Sequence, residues 1–194
     1  MIYTTHYSSP LGDLLLACQD NALIGLWIEG QKYYLSNFND IMEENNDLEI
    51  FHQTKKWLDH YFEGKKPSID ELNLSFIGTD FRKKVWKILC EIPYGKTITY
   101  KEIAMKIAKE KRLEKMSAQA IGGAVGHNPI SIIVPCHRVV GSDGSLVGYA
   151  GGIDKKMTLL QHEKVDISKF YIPNIKKDVA LKLTRGIIIN KKGV

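Results

Sequence analysis

The chain has 194 residues, 44% hydrophobic and 25% charged, which suits one large or two small globular domains and excludes a disordered chain. No apolar run approaches the ~18–20 residues that a bilayer span needs, and the opening MIYTTHYSSPLGD lacks the basic start and hydrophobic stretch of a secretory signal. The net charge of +5 hides a division after Ser75, since residues 1–75 carry −7 and residues 76–194 carry +12. That excess fits either a polyanion partner, whose condensed counterions Lys and Arg release, or a solvated lysine-rich surface.

Between Tyr3 and Ile28 the short β-prone runs DLLLACQD and ALIGLWIEG, broken at Ser9-Pro10-Leu11-Gly12 and Asp20-Asn21, read as hairpin-linked strands. From Leu48 to Phe62 the positions Ile50, Phe51, Thr54, Trp57, Leu58, Tyr61 and Phe62 recur at helical spacing, with Gly64 and Pro67 as the stop. Residues 65–78 connect to a second domain. There Thr79 or Asp80 caps a helix FRKKVWKILCEI, with Phe81, Val85, Trp86 and Leu89 on one side and Pro93-Tyr94-Gly95 as its end. A second helix, YKEIAMKIAKE, begins near Thr99, with Ile103, Met105, Ile107 and Ala108 as its apolar positions. After the basic connector KEKRLEKM, Ser117 caps a third helix, AQAIGGAVG, which stops at His127-Asn128-Pro129.

Two helices joined by a short polar connector suggest a helix-turn-helix. The third helix is unusually slim: Ala118, Ala120, Gly122, Gly123, Ala124 and Gly126 leave little side chain to reach base edges, although each interior glycine costs about 1 kcal/mol against alanine. Either close helix packing or a fit to the minor groove, ~6 Å wide in B-DNA, would call for that slimness.

The strongest local feature is ISIIVPCHRVVG, followed by GYAGG. Ser131 to Val134 reads as a buried extended run that Pro135 ends, so that Cys136 emerges from a rigid element. His137 and Arg138 follow it, and cationic or imidazole neighbours favour a thiolate. Downstream, MTLLQHE offers Glu163 to orient an imidazole. The three cysteines, Cys18, Cys90 and Cys136, are widely spaced and odd in number, which points to a reducing compartment, the cytoplasm. Cys18 reads as a strand-interior hydrophobe and Cys90 as a core-facing helix residue. His6, His52 and His60 show no metal-ligand spacing with Cys18, and His127 and His162 read as surface residues.

PCHRVV, the upstream GHNP and the downstream GYAGG and LLQHE together resemble the active-site region of the O6-alkylguanine-DNA alkyltransferases, also called methylated-DNA–protein-cysteine methyltransferases. The resemblance covers residues 79–165 closely and residues 1–75 loosely, through SSPLGDLLLA and YFEG. It implies a ribonuclease-H-like α/β domain over 1–75, expected as a short antiparallel sheet plus a helix. A mostly α domain with a helix-turn-helix follows over 76–170, then a lysine-rich tail over 171–194. It also implies Cys136 as the alkyl acceptor, His137 as the general base acting through a water, Glu163 as the carboxylate holding that histidine, and Tyr100 as the residue that helps rotate the nucleotide and protonates guanine N3. Asn128 matches the asparagine between recognition helix and active-site strand. Tyr149 and the Ala150 amide match the base-pocket wall and the O6 contact, and the Cys136 and Val139 carbonyls match acceptors for the guanine amino group. Ser117 and Arg138 complete the expected DNA-facing set. Gln119 stands where many members carry an arginine that fills the gap left by the flipped base.

The implied activity is DNA repair by single-turnover alkyl transfer from O6-alkylguanine in double-stranded DNA to Cys136, with base flipping. O4-alkylthymine is left open as a second substrate. A thioether has no carbonyl for water to attack, hence one event per molecule. A monomer without cofactor, metal or membrane is expected. The alternatives are a cysteine hydrolase, for which no oxyanion turn is visible, and a non-catalytic lesion-binding or regulatory DNA-binding protein.

Overall fold

The structure is a computed structural model and describes residues 1–36, 38 and 42–173. Strands β1 (Ile2–Ser9), β2 (Gly12–Gln19) and β3 (Ala22–Ile28) form two antiparallel hairpins, turning at Pro10-Leu11 and at Asp20-Asn21, where both residues of the second turn take positive φ. A short strand β4 (Met42–Glu44) lies parallel to β1, giving the order β3-β2-β1-β4. The sheet is therefore mixed, which corrects the expected antiparallel one. MEE has no apolar pattern to announce a strand, and its pairing comes from the open edge of β1.

Both faces of this sheet are covered. Leu14, Leu16, Leu26 and Ile28 enter the main core, while Leu15, Ala17, Ile24 and Trp27 pack with Ile2 and Phe38 on the other side. Helix α1 (Glu49–Phe62) buries Ile50, Phe51, Thr54, Trp57, Leu58 and Tyr61, as its periodicity predicts.

The helical half is built on good caps. Thr79 Oγ1 accepts from Arg82 N at the start of α2 (Asp80–Cys90). Thr99 and Glu102 form a reciprocal capping box at α3 (Tyr100–Glu110), and Ser117 Oγ accepts from Ala120 N at α4 (Ala118–Gly126). Helix α4 packs on both α2 and α3, and Trp86 Nε1 donates to Ala124 O at 2.9 Å across the first contact. Met105, expected in the core, is 61% exposed. Ile103, Ala104, Ile107 and Ala108 already fill the buried stripe.

The two halves share one core: the main buried cluster runs from Leu14 on β2 through Trp86 on α2 to Tyr149 and Leu159. They also share a sheet edge. Leu23 on β3 bonds Asn73 O and Ser75 N, and Leu26 bonds Pro129 O and Ser131 N. The segment leading into Cys136 is thus seated on β3. Helix α5 (Ile153–His162) and the short pair β5 (Ile98–Thr99) with β6 (Val139–Val140) close the far side. Of the expected tail, Tyr171 pairs with Ser145, and residues 174–194 lie outside the described residues.

Candidate active site

The segment before the cysteine is a turn and not the expected extended run. Ile133 N donates to Ser131 O and Val134 N to Ile130 O, with Ile132 at φ +70°. Pro135, at φ −81° and ψ 63°, makes the centre of an inverse γ-turn closed by Cys136 N to Val134 O at 2.8 Å. A run of buried β-branched residues reads as a strand from sequence. Its backbone partners prove to be Leu26 on one side and the Asn128 side chain on the other. Asn128 accepts from Ile130 N and donates through Nδ2 to Val134 O at 2.8 Å and to Cys136 Sγ at 3.1 Å. Cys136 then opens a single 3-10 turn, Cys136–Arg138.

That turn aims His137 and Arg138 at one carboxylate. Glu163, the residue capping the end of α5, is buried and accepts five hydrogen bonds from three other segments. Oε1 takes His137 Nε2 at 2.7 Å, Tyr61 OH at 2.8 Å and Arg138 Nη2 at 2.9 Å; Oε2 takes Arg138 Nε at 2.8 Å and Gly95 N at 3.1 Å. The saturated, ion-paired carboxyl is held well below the usual carboxylate range. An ionised carboxylate can only accept, so Nε2 of His137 carries the hydrogen and Nδ1 is the lone-pair nitrogen. Burial lowers the His137 pKa, with Glu163 opposing it, and burial raises that of the Cys136 thiol, with Asn128 and Lys156 opposing. Nδ1 of His137 and the hydroxyl of Tyr149 are buried without a partner among the described residues. The two rings meet edge to face at 6.4 Å.

Arg138, expected to face DNA, is buried. Its guanidinium points inward, to Glu163 and to Ile92 O at 2.6 Å, over the Tyr94 ring. Its described hydrogen bonds go to that carboxylate and that carbonyl. Tyr100 opens α3, and its hydroxyl donates to Val147 O at 3.0 Å. Gly148 sits against that hydroxyl at φ +73°, where a Cβ would lie 2.5 Å away. Tyr149 is buried, the Ala150 carbonyl accepts from Lys32 N, and the Val139 carbonyl accepts from Lys156. Ser117, Ala118, Gln119, Ala120 and Gly123 form the exposed side of α4. A concavity of about 650 Å³ between α2 lysines and Phe76 does not include the cysteine.

Sequence reasoning misses two members of the site. Lys156 is fully buried, donates to Val139 O at 2.5 Å and Val147 O at 2.7 Å, and burial pulls its pKa down to about 8. The signal was its place on the apolar stripe Ile153, Lys156, Met157, Leu160 of α5, at i, i+3, i+4 and i+7. Tyr61 was legible as a core position of α1, but nothing in its spacing points to Glu163, 102 residues on.

Comparison with known proteins follows the same residues. Residues 2–76 match the family description "6-O-methylguanine DNA methyltransferase, ribonuclease-like domain", and residues 80–165 match its "DNA binding domain". A protein of Methanosarcina barkeri named methylated-DNA–protein-cysteine methyltransferase is 46% identical over 164 residues, 84% of this chain and 98% of its own. One of the same name from Haemophilus influenzae is 37% identical, over 84% of this chain and 87% of its own. Among solved structures, Mycobacterium tuberculosis OGT in complex with DNA is similar at a TM-score of 0.71 and 37% identity, over 86% of this chain and 98% of that one.

Proposed function

The chain belongs to the 6-O-methylguanine DNA methyltransferase family, and on that premise we propose that it repairs DNA by moving an alkyl group from O6-alkylguanine to its own Cys136. What carries the reading is the buried sequence of contacts Asn128–Cys136 and His137–Glu163, with the His137 Nδ1 and the Tyr149 hydroxyl both buried and unpartnered among the described residues. In this reading the base is rotated out of the duplex, because its O6 substituent is out of reach inside the stack. His137 Nδ1 takes the thiol proton through one water. The S–C bond forms as the C–O6 bond breaks, and the Tyr100 hydroxyl supplies a proton to N3 of the leaving guanine. The Tyr149 ring walls the base and the Ala150 amide contacts O6. The carbonyls of Cys136 and Val139 accept its amino group, the latter through the lone pair that Lys156 leaves over.

In the same reading α3 and α4 act as a helix-turn-helix, with Ser117 and Gln119 at the DNA and Gln119 in the vacated base position. Residues 1–75 act as the ribonuclease-H-like unit and residues 76–170 carry DNA and chemistry, in a cytoplasmic monomer without a cofactor. The test is intact-mass measurement after incubation with duplex DNA containing O6-methylguanine. One added methyl, mapped to Cys136 and saturating at one equivalent, is the expected result. Turnover beyond one equivalent, as a hydrolase would give, or a methyl on Cys18 or Cys90, overturns it.

A further inference from the structure

Tyr61 belongs to α1, in the acidic half of the chain, yet its hydroxyl bonds the oxygen of Glu163 that also takes His137 Nε2. Its ring needs no hydroxyl to pack: it stacks on Trp57 at 5.6 Å and meets Phe62, Tyr94 and His162 at 5.3, 6.1 and 5.0 Å. Phenylalanine would satisfy that frame. The hydroxyl is therefore available for the carboxylate alone, and the backbone around it is fixed in support. His162 Nε2 bonds Tyr61 O at 2.6 Å, and Tyr94 OH donates to His162 O at 3.2 Å, so the ends of α1 and α5 are held together beside Glu163.

Resting on the alkyl-transfer reading above, we propose that Tyr61 is a positioning residue for that reaction, supplied by the N-terminal half. It fixes the Glu163 carboxylate so that His137 keeps Nε2 protonated and presents Nδ1 toward the thiol. The groups that set the proton affinity of His137 are Glu163, Arg138 and Lys156, with Cys136 and Tyr149 beside it; those facing Glu163 are Tyr61, Arg138, His137 and the more distant Tyr94. Removing one donor from Oε1 concentrates charge there, which favours the imidazolium.

The test is the pH profile of single-turnover transfer from free O6-benzylguanine, a substrate that needs no DNA. Tyr61→Phe is expected to lower the plateau rate about five-fold and to move the acid limb to higher pH by about half a unit. Trp57→Phe, on the same helix and in contact with the same ring, is expected to lower the melting temperature and leave the limb in place. Site-specific 3-fluorotyrosine at position 61 keeps the ring and strengthens the donor, so the limb is expected to move to lower pH. It decides the matter even where Tyr61→Phe does not fold. Superimposable profiles for the position 61 variants and wild type, or an equal shift for Trp57→Phe, overturn the proposal. Failure of wild type to alkylate Cys136 would instead overturn the reading on which it rests.

Discussion

Burial raises the pKa of the Cys136 thiol and lowers that of the His137 imidazole, so the resting pair is thiol and neutral imidazole. The pH dependence of stability follows. The folded pKa of His137 lies below the unfolded value of about 6.5, so as pH falls through that value the unfolded chain gains a proton that the native site resists, and stability drops. Glu163, also held low, contributes stability above its unfolded pKa of about 4.3 and loses it as pH falls further. Thermal melting should therefore show two acid-side declines, and Glu163→Gln should remove much of the second while lowering the melting temperature at neutral pH. Lys156 makes a separate prediction. Lys156→Met keeps the volume but takes the Lys156 bond from Val139 O, while Val147 O keeps the Tyr100 hydroxyl, at a cost of about 1–3 kcal/mol for a buried unsatisfied group. It also takes a cation from the neighbourhood of Cys136. Denaturant melts should show the loss, and iodoacetamide labelling of Cys136 should require higher pH than in wild type.

Helix α4 shows how far local sequence carries. Its cap, length and small-residue face are all legible because each depends on neighbours within a turn or two, and the same holds for α1, α2 and α3. The turn at 131–134 and strand β4 are not legible, since their backbone partners come from β3, Asn128 and β1. Cys136, His137 and Glu163 could be found through the resemblance. The inward aim of Arg138 depends on Glu163 and Ile92 arriving from elsewhere in the fold. Two glycines separate propensity from fit. At Gly123 a Cβ would meet nothing within 4 Å, so Gly123→Ala should stabilise the protein by about 0.5–1 kcal/mol in denaturant melts. Gly148→Ala adds a Cβ against the Tyr100 hydroxyl at positive φ, and it should lower both the melting temperature and the transfer rate. At the exposed start of α4, Gln119→Arg should tighten duplex binding, and Gln119→Ala should slow transfer from duplex DNA while leaving free O6-benzylguanine unaffected.

At the scale of the molecule, the change of sign in charge after Ser75 does not coincide with a gap in the core. Residues from β2, α1, α2 and α5 share one buried cluster, and β3 bonds both the connector at 73–75 and the active-site approach at 129–131. Far-ultraviolet circular dichroism and tryptophan fluorescence should therefore report one coincident unfolding transition, since contacts of this kind make a domain cooperative. A fragment of residues 1–75 should lack the fixed tertiary signal of the whole chain.

The bond between Tyr61 and Glu163 also has a consequence for descent. A crossover that joined the first half of one relative to the second half of another would leave the reading frame whole and each nucleophile in place. It would still have to match a hydroxyl on one parental helix to a carboxylate on the other, and a strand edge to the turn it receives. A chimera that fails either match is expected to melt at a lower temperature than both parents.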